Sequence, residues 1–216
     1  MGSDYTEIDP KFRKTIHLDN ASLYRLLQMG DEKNGPWVAG GAALSWYLGE
    51  SINSLTDVDV FFKDSNSAEK LQNKIMQFSE KGLIGIIGTF DTPNARTFTI
   101  CFVDVKDKPV YKIQLIRKIY FDTIHDVLNQ FDLSICKIGT DGRKFYLGDN
   151  TARHIHNRTF DYEKEFTQGA YLRILKYETY GYRPTEQLQA KIKEADPMIY
   201  DFSLLEGGTD EYETGL

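Results

Sequence analysis

Apolar residues fall along this chain in two rhythms that replace each other several times. Leu23, Leu26 and Leu27 recur at helical spacing in ASLYRLLQM behind Asn20, so a first helix is expected to end at Gly30. After the loop DEKNGP, WVAGGAALSWYLG opens with a short apolar entry, turns on Gly40 and Gly41, and continues as a short helix toward Gly49. DVDVFF, beginning at Asp57, alternates with a period of two and reads as a strand. Leu71, Ile75 and Phe78 return to helical spacing, with Gly82 as a stop just beyond. The runs LIGIIG (83–88), TFTICFVDV (97–105) and VYKIQLI (110–116) are rich in β-branched and aromatic residues and predict three consecutive antiparallel strands. Asp122 is placed to cap a helix TIHDVLNQ. FDLSICKI is expected to be an alternating strand, and Asp141-Gly142 to turn the chain into KFYLG. From Asn150 onward the pattern is helical, with an amphipathic segment around Leu172, Leu175 and Lys176 and a final helix from Pro184 through Glu194.

This order of elements predicts an α+β (mixed α/β) fold with a C-terminal helical part. The expected organisation is a catalytic domain over 1–148, a helical region over 149–200 and an acidic, disordered tail over 201–216. A hydrophobic share of 41% and a charged share of 27% are those of a soluble globular protein, and no apolar run approaches the roughly 18 residues a membrane span requires. The N-terminus lacks the apolar stretch of a signal peptide, so a cytoplasmic location is expected. The net charge of −6 argues against an even coating of nucleic acid. Glu206, Asp210, Glu211 and Glu213 sit together in the tail, however, which leaves room for a basic face elsewhere. Cys101 and Cys136 lie in apolar runs without metal-ligand spacing and read as reduced core thiols.

The chemistry concentrates in one stretch: Gly40-Gly41, fifteen intervening residues, then Asp57-Val58-Asp59. On a strand, residues two apart share a face, so both carboxylates project together while Val58 and Val60 point into the core. Paired hard oxygens on a rigid edge suit Mg²⁺, with Mn²⁺ as its substitute, because such ions take one or two carboxylates and leave other positions to water and phosphates. A two-metal site, with ions about 3.5–4 Å apart, would use Asp57 and Asp59 as the bridge. Glycines before a helix let backbone N–H groups approach a phosphate. A third carboxylate is wanted to activate an attacking hydroxyl, and Asp132 in FDLSICKI is the candidate as base and further metal ligand. Its simpler reading is a strand-initiating acid. Either motif alone reads as a solvated strand end or an ordinary tight turn; their succession favours a site.

The C-terminal region interleaves Arg153, His154, His156, Arg158, Lys164, Arg173, Lys176 and Arg183 with Tyr171, Tyr177, Tyr180 and Tyr182. Arg173, Lys176 and Tyr177 share a helix face that suits a triphosphate or an acceptor, and a salt-paired solvated face is the alternative. His154 and His156, two apart, cannot ligate one metal from a helix and are expected at the surface.

The stretch VAGGAALSWYLGESINSLTDVDVFF resembles the signature of the polymerase-beta nucleotidyltransferase superfamily, and its GGAAL…LG portion is similar to the CCA-adding tRNA enzymes. The resemblance implies a mixed sheet flanked by helices, two Mg²⁺ ions, an NTP donor and transfer of a nucleoside monophosphate. Gly40 and Gly41 would then face the triphosphate, Asp57 and Asp59 the metals, and Asp132 the acceptor hydroxyl. The acceptor would be an RNA or DNA 3′ end such as that of tRNA, a protein or a small molecule. The competing function is a module that keeps the fold and binds NTP, RNA or a partner protein without turnover.

Overall fold

The protein is described by a computed structural model covering residues 5–7, 18–50, 52, 56–103, 110–164 and 168–195. Its centre is a mixed sheet in the order β1 (Tyr5–Glu7), β8 (Lys144–Leu147), β7 (Ile138–Thr140), β2 (Trp37–Ala39), β3 (Asp57–Phe61), β6 (Val110–Ile116), β5 (Ala95–Phe102) and β4 (Ile84–Asp91). Pairing is antiparallel throughout except between β3 and β6, which run parallel. The three runs 83–88, 97–105 and 110–116 do form the consecutive antiparallel strands β4, β5 and β6.

The period-two alternation sorts residues onto two faces. Val38, Val58, Val60, Phe98, Ile100, Ile113 and Leu115 are buried in one core cluster. With them pack Leu23, Leu26 and Leu27 of α1 (Leu18–Leu27), the alanines and Trp46 of α2 (Gly41–Tyr47), and Leu71 and Ile75 of α3 (Ser65–Glu80). Asp64 caps α3, its Oδ1 accepting from the Ser67 amide at 2.7 Å. Trp37, Ala39 and Phe61 belong to the opposite cluster, together with Ile124, Val127 and Leu128 of α4 (Ile124–Leu128). The cap of α4 is Thr123, not Asp122: Thr123 accepts from the Asp126 amide while the Asp126 carboxylate reaches back, a reciprocal box unavailable one residue earlier.

The segment FDLSICKI departs from expectation. Leu133 makes only an isolated bridge to Tyr162, and Ser134–Cys136 is a 3₁₀ turn rather than strand. The reason lies in its polar positions. Ser134 is fully buried, and its hydroxyl accepts from the Asp161 amide at 2.9 Å and meets His154 Nδ1 at 2.7 Å. Those contacts bind the segment to the C-terminal part instead of to a neighbouring strand. His154 is therefore a buried residue, 4% exposed, and not the surface histidine expected; only His156 is exposed. Burial holds the His154 imidazole below its ordinary pKa, with Asp161 opposing.

The Asp141-Gly142 turn forms as anticipated. Asp141 accepts from the Arg143 and Lys144 amides, and Gly142 takes φ +82°. Beyond it, α5 (Thr151–Asn157), α6 (Gln168–Thr179) and α7 (Glu186–Ala195) are interrupted by a short parallel pair, β9 (Thr159–Phe160) with β10 (Arg183–Pro184), which the helical reading did not include. Cys101 and Cys136 are both free. No helix among the described residues is long and apolar enough to cross a membrane. The expected acidic tail over 201–216 lies outside the described residues.

Candidate functional site

Strand β3 is fixed on both sides. Trp37 and Val38 of β2 lie opposite Phe61 and Val60, while Asp57, Val58, Asp59 and Val60 lie opposite Lys112, Ile113, Gln114 and Leu115 of β6. Val58 and Val60 are completely buried beneath the sheet, which forces Asp57 and Asp59 to its other face. That face continues across β6 as Lys112 and Gln114 and across β5 as Thr99 and Thr97, their register partners.

The two carboxylates are strained by their own proximity. Burial and the neighbouring charge of Asp57 push the Asp59 pKa up to about 7, while Lys176 pulls the other way. Asp57 Oδ1 is buried and has no hydrogen-bond partner. An acceptor oxygen without a donor and a carboxylate raised by its twin both lack positive charge, and a divalent cation between them supplies it. Asp57 and Asp59 therefore fit a metal.

Gly40 ends β2 at φ +76°, and a Cβ there would stand 2.8 Å from Phe131 Cε1. Its amide donates to Ile138 O at 2.9 Å, so the glycine serves the turn sterically and that N–H is already engaged. Gly41 opens α2, and a Cβ there would be in van der Waals contact with the Tyr177 hydroxyl at 3.6 Å.

Helix α6 leans over this point. Lys176 acts on Asp59. Tyr177 is buried, and its hydroxyl receives a hydrogen bond from Cys136 Sγ at 2.9 Å; burial pushes the Cys136 thiol up to about 12, so it is a core thiol. Arg173 turns the other way: it bonds Asp132 and, at 3.3 Å, the Tyr162 hydroxyl. The structure thus brings Asp57, Asp59, Gly40, Gly41 and Lys176 to one place, and pairs Arg173 with Asp132. Among the described residues, no three His, Cys, Asp or Glu side chains gather to hold a metal ion, so Asp132 does not join Asp57 and Asp59 in one ligand set. Its Oδ2 is engaged by the Arg173 guanidinium.

Sequence reasoning missed Lys112 and Gln114. Their signal was present in the alternation of VYKIQLI, whose polar members face away from Tyr111, Ile113 and Leu115. It also missed the Ser134, His154 and Asp161 contacts, which no spacing in the chain announces.

Solved structures of CCA-adding enzymes are among those similar in fold. A CCA-adding enzyme complexed with ATP superposes with a TM-score of 0.65 at 17% identity, over 93% of this chain and 48% of that one. A Thermotoga maritima CCA-adding enzyme complexed with tRNA gives 0.62 at 16%, over 92% and 47%. A CCA-adding enzyme with CTP gives 0.56 at 16%, over 93% and 46%. The chain spans about half the length of these enzymes. Its fold is that of the polymerase-beta-type nucleotidyltransferases, as the GG and D-x-D stretch implied. Comparison with curated protein sequences gives no match. The family model described as "Gabija anti-defense 2 family protein" matches residues 11–158.

Proposed function

The chain belongs to the Gabija anti-defense 2 family, and from that membership and its site we infer a Mg²⁺-dependent nucleotidyltransferase that blunts the Gabija defence by moving a nucleoside monophosphate from an NTP onto an acceptor hydroxyl. One observation carries the reading: Asp57 and Asp59 stand on one face of a rigid central strand, one with an unbonded buried oxygen and the other raised to about 7 by its neighbour. A fold kept only for shape gains nothing from two adjacent acids that repel each other, since burying such charge is costly.

In this mechanism Asp57 and Asp59 would hold the cation, with Mn²⁺ as a substitute for Mg²⁺. A bound metal would neutralise charge on the phosphates and polarise the α-phosphorus for in-line attack by the acceptor hydroxyl, whose proton passes to solvent as pyrophosphate departs from the opposite side. Lys176 draws the triphosphate toward the carboxylates, and at the start of α2 Gly41, itself without a side chain, lies beside the Tyr177 hydroxyl. Arg173 acts indirectly by fixing α6 against Asp132. The acceptor we favour is an RNA or DNA 3′ end, supported by exposed Lys112 on the floor beside Asp57 and by exposed Arg153, Arg158 and Arg183 in the C-terminal part.

The test is transfer of label from each α-labelled NTP, with Mg²⁺, into nucleic acid and protein from cells that carry the defence. Asp57→Asn and Asp59→Asn, which remove charge at nearly constant volume, are expected to fold and to lose transfer by at least about 100-fold, a drop in the range single groups of electrostatic catalysis command. Undiminished transfer by either variant overturns the site. A second reading, a binding module without turnover, is favoured by the lack of a third ligand among the described residues. It is the correct one if no label is transferred by the wild type and Asp57→Asn and Asp59→Asn still block the defence.

A further inference from the structure

We propose that Phe90 is a stacking platform for an unpaired base of a single-stranded nucleic-acid acceptor, turned onto the face of the sheet that carries Asp57 and Asp59 by one extra residue in β4. This rests on the nucleotidyltransferase reading above and names how that site receives its acceptor.

Register places the ring. Residues opposite each other on neighbouring strands project to the same face. Asp59 stands opposite Gln114 of β6, Gln114 opposite Thr97 of β5, and Thr97 opposite Phe90 of β4. Beside this row runs a second one, Asp57, Lys112, Thr99 and Gly88. Phe90 thus shares the face of the acid pair at a distance of three strand steps, about 14 Å at the usual spacing.

That placement depends on Ile87. Ile86 lies opposite Ile100 and Gly88 opposite Thr99, so Ile87 is the extra residue of a β-bulge. Without it every later residue of β4 would slip by one, and Phe90 would lie opposite Arg96, on the face where Phe98 and Ile100 are completely buried. Burial favours that side for a phenylalanine. The bulge instead delivers the ring to the polar face, where it is 66% exposed. Bulges that re-aim a side chain are a recurrent device beside active sites.

The surroundings select the ligand. Gly88, two residues before Phe90 on the same face, has open space where a Cβ would be, so one flank of the ring is free. Between the ring and the acid pair the two rows hold Thr97, Thr99 and Gln114, which offer hydroxyls and an amide, and exposed Lys112, which offers positive charge. A flat apolar ring beside hydrogen-bonding groups and an ammonium matches a strand of nucleotides, with a base on the ring and a phosphate at the lysine. An apolar protein surface would desolvate Lys112 and the hydroxyls without pairing them. At about 3.4 Å per stacked nucleotide, the base on Phe90 is about four nucleotides from the reacting 3′ end.

The experiment is fluorescence anisotropy of the whole protein with a short single-stranded RNA, DNA of the same sequence, and the blunt duplex. Phe90→Ala is expected to weaken single-strand binding by about fivefold to a hundredfold, the range set by loss of one base–aromatic stack, and to leave duplex binding unchanged. Phe90→Trp should bind as the wild type does. Phe90→Leu, apolar but without a π face, should bind as weakly as Phe90→Ala. Removing the base about four nucleotides from the 3′ end is expected to weaken binding by the wild type and not by Phe90→Ala. The proposal is overturned if the wild type binds no single strand, if a folded Phe90→Ala binds as the wild type does, or if Phe90→Leu does. Urea unfolding checks each variant, and if Phe90→Ala fails to fold, the contrast of Phe90→Trp with Phe90→Leu decides. Label that passes to a protein or small molecule while no single strand binds leaves the transferase reading standing and removes the platform. Binding through Phe90 with no transfer from any NTP removes the transferase reading alone.

Discussion

At the scale of single residues, Asp59 sets a pH dependence whose sign can be worked out. Its folded pKa of about 7 lies above the ordinary carboxylate value, so the folded state favours the protonated acid. Stability from this group is present at low pH and is lost as pH rises through about 7, where the second charge appears beside Asp57. On the proposed function, a cation bound by the ionised pair would reverse that loss. The stabilisation conferred by Mg²⁺ with a non-hydrolysable NTP, measured as a shift in Tm, is therefore expected to be small at about pH 6 and larger at about pH 8, and more Mg²⁺ should move the midpoint to lower pH. A flat profile would show that Asp59 does not meet the ion. The sequence made these two acids legible because a period of two is local and needs no knowledge of neighbours. Gln114 was not legible in the same way: its meaning depends on which strand lies beside β3, and parallel pairing across fifty-odd residues leaves no local trace.

At the scale of elements, helix α6 is seated in the core by Ala170, Ile174 and Tyr177 and tied by two polar contacts, Arg173 with Asp132 and Tyr177 with Cys136. The Asp132 side chain is 17% exposed and that of Arg173 37%, so the pair is only partly screened. Removing the guanidinium strands a half-buried carboxylate; Arg173→Ala is expected to cost about 1–2 kcal/mol in urea unfolding after allowance for solvent screening, and Asp132→Ala a similar amount. Both should weaken NTP binding, because Lys176 loses its position over Asp59. If Asp132→Ala leaves stability untouched and slows transfer alone, the carboxylate meets the reacting groups after all. Here the limits of pattern reading are physical. FDLSICKI alternates like a strand, but Ser134 and Asp132 satisfy their polar groups with His154, the Asp161 amide and Arg173, all more than twenty residues away in the C-terminal part or nearly so. The helical spacing of Arg173, Lys176 and Tyr177 was readable; that they divide between a structural pair and the acid pair was not.

At the scale of the whole molecule, the sheet order decides which parts of the chain must meet. Between β3 and its parallel neighbour β6 lie α3 and the β4–β5 hairpin, and between β2 and β7 lies everything from Gly40 to Lys137. The hairpin turn, Thr92 to Ala95, is held by its own local bonds and sits far along the sheet from the acid pair, with β4 at the outer edge. Strands on either side of that turn interleave: β2 and β3 come before it, while β6 and β7, which flank them, come after. Neither half of the chain can build the site, yet each carries the other's missing strands. A backbone cut between Pro93 and Asn94 thus severs no contact of the acid pair, and the pieces 1–93 and 94–216, produced together, are expected to find each other, copurify, and bind Mn²⁺ with nucleotide as one body. Separately, the first piece holds the acid pair without a floor and the second the floor without its acids, which makes this protein its own two-part reporter.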